Sequence, residues 1–158
     1  MANVDKTGLG DRIVPLNQGE RAAGYIDARK FTYADFSSSG DSIDLIELPA
    51  NCFVARLWVV VKTAFNGTPV LIVGDSDASA SVSDADGYLK SGEIEETSAI
   101  VSMADTSDGL GAYTIKGGKR PLYTTAGQHL RVGFSWSSTP TAGEAYLVAE
   151  IVGIPSAS

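Results

Sequence analysis

The cleanest alternation in the chain is "QHLRVGFSW", residues 128–136. Leu130, Val132, Phe134 and Trp136 fall on one side, and His129, Arg131, Gly133 and Ser135 on the other, which predicts a half-buried strand. "CFVARLWVVVKTAF" (52–65) carries a different pattern. Leu57, Val59 and Val61 share one face, while Trp58 and Val60 share the other with Arg56 and Lys62. Its density of β-branched residues selects strand over helix. Apolar groups on both faces predict an interior strand whose second side is also covered, for instance by a neighbouring subunit.

Shorter runs complete the list. "FTYADF" (31–36), "SIDLIEL" (42–48) and "EAYLVAEIVGI" (144–154) read as strands, and "GAYTIKGGKRPLYTTAG" (111–127) as two short strands around "GGKRP". Pro49 breaks the second run, because proline cannot donate to a ladder. Asn66-Gly67 is a strong two-residue turn signal, and it predicts a hairpin whose return strand is "TPVLIVG" (68–74). Residues 75–87 are almost all Asp, Ser, Ala and Gly and predict a loop; residues 88–109 fit neither period.

About eight short strands punctuated by Gly and Pro predict an all-β, single-domain β-sandwich over 31–154. A jelly-roll-like order is the first expectation and another Greek-key sandwich the second. Residues 1–30 lack periodicity and read as an extended N-terminal arm.

Composition narrows the function classes. A chain of 158 residues, 44% hydrophobic, is long enough for a real core in one domain. Cys52 is the only cysteine, which excludes an internal disulfide and reads as a small buried hydrophobe. No apolar run reaches the length of a membrane helix, and "MANVDKTGLGDR" lacks the apolar core of a signal peptide. The expectation is synthesis in the cytoplasm with no membrane partner. Net charge is −7 and unevenly spread. Residues 75–108 hold nine acids and one base, Lys90, a local −8 that leaves +1 for the rest. Such a segment repels a phosphate backbone, so direct nucleic-acid binding is not expected.

Candidate chemistry is sparse. Asp75-x-Asp77 and Asp84-x-Asp86 could bring hard oxygen ligands to Ca²⁺, although EF-hand spacing is absent. The competing reading is a solvated loop. His129 is the only histidine and would have to serve any Ser-His-Asp triad, yet no G-x-S-x-G elbow occurs. A surface or interface histidine is the simpler reading. Paired carboxylates could support glycoside hydrolysis, but nothing marks out a pair among 19 acids. Trp58, Trp136, Tyr88, Tyr113, Tyr123 and Tyr146 could stack on sugars, which keeps a carbohydrate-binding module as an alternative; core or subunit packing explains them more simply. "NGT" (66–68) matches a glycosylation sequon that the turn already accounts for.

Longer stretches resemble a known pattern. In residues 46–89 a Pro-containing turn (Pro49–Asn51) leads to a long strand ending in "TAFNG" (63–67). A strand ending in "VGD" (73–75) follows, then an acidic loop closing on "YL" (88–89). "PLYTTAGQHLRVGF" (121–134) and "PTAGEAYLVAEIV" (140–152) add "TAG" turns ahead of amphipathic strands. Together these resemble small structural proteins of tailed bacteriophages: head decoration (cement) proteins, head fibres and tail parts.

The resemblance implies a non-enzymatic virion protein without a cofactor, most simply a decoration protein on the outer surface of the capsid that binds the major capsid protein. It further implies self-association, with a homotrimer the usual form. A phage tail or fibre component is the alternative within that class. On this reading the arm, through Ile13, Val14, Leu16, Arg21 and Tyr25, would order on the capsid lattice, and the acidic loop would face outward or sideways.

Overall fold

This computed structural model describes residues 23–76, 84–90, 100–102, 113 and 121–155. They contain seven strands: β1 (Ala23–Thr32), β2 (Asp41–Leu48), β3 (Cys52–Thr63), β4 (Pro69–Ser76), β5 (Ile100–Ser102), β6 (Gln128–Trp136) and β7 (Glu144–Gly153). β1, β7, β3 and β5 form a four-stranded sheet in that order, and β2, β6 and β4 a three-stranded one. All pairings are antiparallel. Each successive strand lies in the opposite sheet, so the chain wraps a two-layered, jelly-roll-like sandwich. Leu89 bridges Val73 at the outer edge of β4, which lays the 84–90 segment alongside the smaller sheet.

The core follows the pleat. Leu57, Val59 and Val61 of β3 and Ala145, Leu147, Ala149 and Ile151 of β7 are buried. They meet Leu71 and Val73 of β4 and Leu130, Val132 and Phe134 of β6. Each Val, Leu, Ile or Phe among them contributes about 1.5–3 kcal/mol of burial free energy. One end of the sandwich is an aromatic cluster in which Phe134 lies 5.1 Å from Phe36 and 5.2 Å from Phe65, ring centre to ring centre. Bulges correct the parity where the sequence would break it. In β2 the register shifts between Asp44 and Ile46, so that Ile43 and Ile46, three positions apart, both pack against the core.

Three expectations are corrected. The hairpin at Asn66-Gly67 does not form, because β3 and β4 belong to different sheets. Positive φ falls on Gly67 and Thr68 (91° and 57°) instead of on Asn66 and Gly67. The Asn66 side chain accepts from the Thr141 and Ala142 amides at 2.8 and 3.2 Å. The Gly67 carbonyl accepts from the Ser137 and Ser138 amides. The turn is thus a corner fastened to the β6–β7 connection. Any Cβ at Gly67 would sit 2.1 Å from the Ser138 carbonyl oxygen, so glycine is required there.

Second, "FTYADF" is not one strand. The Asp35 carboxylate accepts from the Thr32 amide (2.7 Å) and hydroxyl (3.0 Å), turning the chain into a 3-10 helix over Tyr33–Asp35. Third, Ala23–Lys30, expected in the arm, belong to β1 and pair with β7. Their alternation is disguised, because the inward positions include Asp27 and Arg29, both buried. These two side chains neutralise each other, Nε to Oδ1 at 3.1 Å and Nη2 to Oδ2 at 3.2 Å.

Candidate functional site

The two sheets differ on the sides that face away from the core. On the four-stranded sheet the register aligns side chains in rows across the strands. One row is Lys30, Tyr146, Val60 and Ile100; the next is Ala28, Val148 and Trp58; another is Gly24, Val152 and Phe53. Trp58, Val60, Tyr146 and Val148 are half-buried, and Ile100 and Ile26 are 67% and 49% exposed. Two ion pairs lie on this face. Lys30 Nζ meets Glu144 Oε2 at 2.8 Å, and Arg56 Nε meets Glu150 Oε2 at 3.6 Å. The hydrogen bond to Glu144 holds the Lys30 ammonium above its ordinary range. Cross-strand apolar contacts flanked by neutralised charge give a surface suited to burial against another polypeptide.

The three-stranded sheet turns a polar side outward. Its rows are Ser42, Gly133 and Ile72; Asp44, Arg131 and Gly74; and Glu47, His129 and Ser76. Arg131 grips Asp44 with two bonds, Nε to Oδ1 at 2.7 Å and Nη2 to Oδ2 at 3.2 Å. Burial pulls the Asp44 carboxyl up, but Arg131, aided by Ser76 and His129, outweighs it and leaves the carboxyl below the usual range. His129 is therefore a half-buried residue of a polar face, beside a carboxylate already engaged by Arg131.

The acids flagged for Ca²⁺ are dispersed in role. Asp75 is not in a solvated loop: it continues β4 by two positions beyond Val73, points inward and is 2% exposed. Its oxygens accept from the Tyr123 hydroxyl (2.7 Å), the Asp84 amide (2.7 Å) and the Tyr113 hydroxyl (3.4 Å). Asp84 and Asp86 lie in the 84–90 segment, where the Asp84 carboxylate accepts from the Asp86 amide at 3.3 Å. The contact with Asp84 holds the Asp86 carboxyl above its ordinary value. Asp77 lies outside the described residues. Among the described residues no three of His, Cys, Asp and Glu gather as a metal site would need.

Of the arm residues, Ile13, Val14, Leu16 and Arg21 also lie outside the described residues. Tyr25 does not belong to an arm; it lies on β1 opposite Ile151 and packs against the core. Cys52 is buried, as its apolar setting predicts, and burial pushes its thiol up to about 11. Sequence reasoning missed the polar group around Asp75. The one available signal was parity, since Asp75 follows Leu71 and Val73 at two-residue steps.

No protein-family profile matches the chain, and no curated protein matches it in sequence. Solved structures do match in fold. One is a chain of the cyanophage Pam1 capsid asymmetric unit, at 15% identity with a TM-score of 0.58, covering 91% of this chain and 94% of that one. Another is a chain of the capsid of Ralstonia phage GP4, at 15% identity with a TM-score of 0.56, covering 94% and 96%. A third belongs to the acidic stable capsid structure of Helicobacter pylori bacteriophage KHP30, at 13% identity with a TM-score of 0.55, covering 84% and 89%. Across nearly its whole length, this chain shares its sandwich fold with chains of three bacteriophage capsid structures.

Proposed function

We propose that the protein is a non-enzymatic virion structural protein, a capsid decoration (cement) protein that binds the assembled head and stabilises it. The observation that carries this reading is the outer side of the four-stranded sheet, apolar along Trp58, Val60, Tyr146 and Val148 with its ion pairs closed on themselves. A chain of net charge −7 repels its copies, and a face with balanced charge is where like copies can meet. Copies associate through this face, as a homotrimer, and sit on the outer capsid surface against the major capsid protein. The arm residues Ile13, Val14, Leu16 and Arg21 order on that lattice. Binding to the assembled form alone stabilises the shell by mass action.

The test is cosedimentation of purified protein with undecorated heads, followed by thermal disruption of the heads. Saturable binding that raises the disruption temperature is expected. Absence of binding to heads, with binding to tails, moves the protein to a tail or fibre role.

A further inference from the structure

The 84–90 segment is fitted to β4 more closely than a solvated loop needs to be. Val73 exchanges backbone hydrogen bonds with Leu89 (2.8 and 2.9 Å), and the Asp75 amide donates to the Asp84 carbonyl at 3.1 Å. Gly74 has no room for a side chain, since a Cβ there would stand 1.9 Å from the Asp84 carbonyl oxygen. Gly87 is pressed by the Tyr113 ring, 2.3 Å from where a Cβ would be. Beneath this contact lies a chain of three groups: the Asp75 carboxylate, the Tyr123 hydroxyl 2.7 Å away, and the Tyr88 hydroxyl 2.8 Å beyond. Tyr88 and Tyr123 are buried.

We propose that Asp75, Tyr123 and Tyr88 form a reversible hydrogen-bond chain that latches the 84–90 segment to β4 in both protonation states of Asp75 and grips more firmly in acid. Either tyrosine can donate to the other. With Asp75 ionised, the bonds run from Tyr88 to Tyr123 to the carboxylate. With Asp75 protonated, they run from its hydroxyl to Tyr123 and on to Tyr88, so no bond in the chain is lost. The Asp84 amide retains a carboxyl oxygen as acceptor at 2.7 Å in either state.

The groups that bear on Asp75 are Tyr88 and Asp84 from the segment itself, Tyr113, and Tyr123, which bridges Cys52 of β3. Its neighbour on β6 is Leu130. Among the described residues none of these is a cation, and burial holds the carboxyl's proton above the ordinary range. A carboxyl whose folded value is raised stabilises most below its unfolded value, and that contribution fades as pH rises through the folded one. Asp86, raised by its contact with Asp84, acts in the same direction.

The test is amide hydrogen exchange of the Asp84 and Leu89 amides, as protection factors corrected for intrinsic rate. A rise of about threefold or more between about pH 7.5 and about pH 3.5, below the ordinary Asp value, is expected in the unmodified protein. Asp75→Asn, uncharged at every pH, should show the acid level of protection throughout. Equal protection at both pH values, or weaker protection in Asp75→Asn than in the unmodified protein at neutral pH, overturns the proposal. If Asp75→Asn does not fold, ¹³C titration of the Asp75 carboxyl in the unmodified protein decides: a midpoint above the ordinary Asp range supports the latch, and one at or below it refutes it. The proposal concerns the folded chain alone, so its failure leaves the assembly reading untouched.

Discussion

The outer sides of the two sheets have the same pleat and the same neighbouring core, yet opposite surface chemistry. The four-stranded sheet offers Trp58, Val60, Tyr146 and Val148 beside two ion pairs. The three-stranded sheet offers Ser42, Asp44, Arg131 and Glu47, with Ile72 the apolar member of the same rows. Folding requires only one apolar side per sheet, so the second apolar side of β3 and β7 supports the proposed association of copies. The difference is one of continuity: outward Val70 and Ile72 of β4 lie beside Ser135 and Gly133, whereas the outward apolar residues of β3 and β7 lie beside one another.

Substitutions sharpen that contrast. An inward position sets the upper bound: Phe134→Ala removes a ring that packs on Phe36 and Phe65 and should cost about 3–5 kcal/mol in denaturant unfolding. On the outer apolar side, Trp58→Asp should weaken self-association by about a hundredfold or more while circular dichroism shows the sandwich intact. On the polar side, Arg131→Ala should leave association unchanged. It should cost no more than about 1 kcal/mol, because both partners are more than a third exposed and screened. That small effect has a pH signature. The Asp44 carboxyl is lowered on folding, so its contribution is present above the ordinary carboxylate range and lost as pH falls through the folded value. The difference between Arg131→Ala and the unmodified chain should therefore shrink in acid, opposite in sign to the Asp75 latch.

Legibility in the sequence followed the range of the interaction that decides each feature. β6 was fully readable, since its faces are set by strict alternation from Gln128 to Trp136. The two-sided character of β3 was readable for the same reason, and it located the apolar surface before any sheet was known. The partner of β4 was not readable. Asn66-Gly67 does bend the chain, but the turn dipeptide is local, whereas the choice of β6 over β3 is made by tertiary packing and by the Asn66 bonds to residues 141 and 142. β1 escaped notice because Asp27 and Arg29 occupy inward positions and form an ion pair there, a pairing that alternation cannot show. Asp75 was misplaced because its burial depends on Tyr88 and Tyr123, distant in sequence and brought close only by the wrap of the chain.

On the proposed function, the outer side of the four-stranded sheet joins copies of this chain. Sedimentation velocity on the unmodified protein and on Val60→Asp tests it most directly. A particle of several 16.5 kDa subunits is expected for the unmodified chain, and a folded single subunit for the variant. An unmodified chain that sediments as one subunit at every concentration, or a Val60→Asp variant that keeps the full assembly mass, would contradict it.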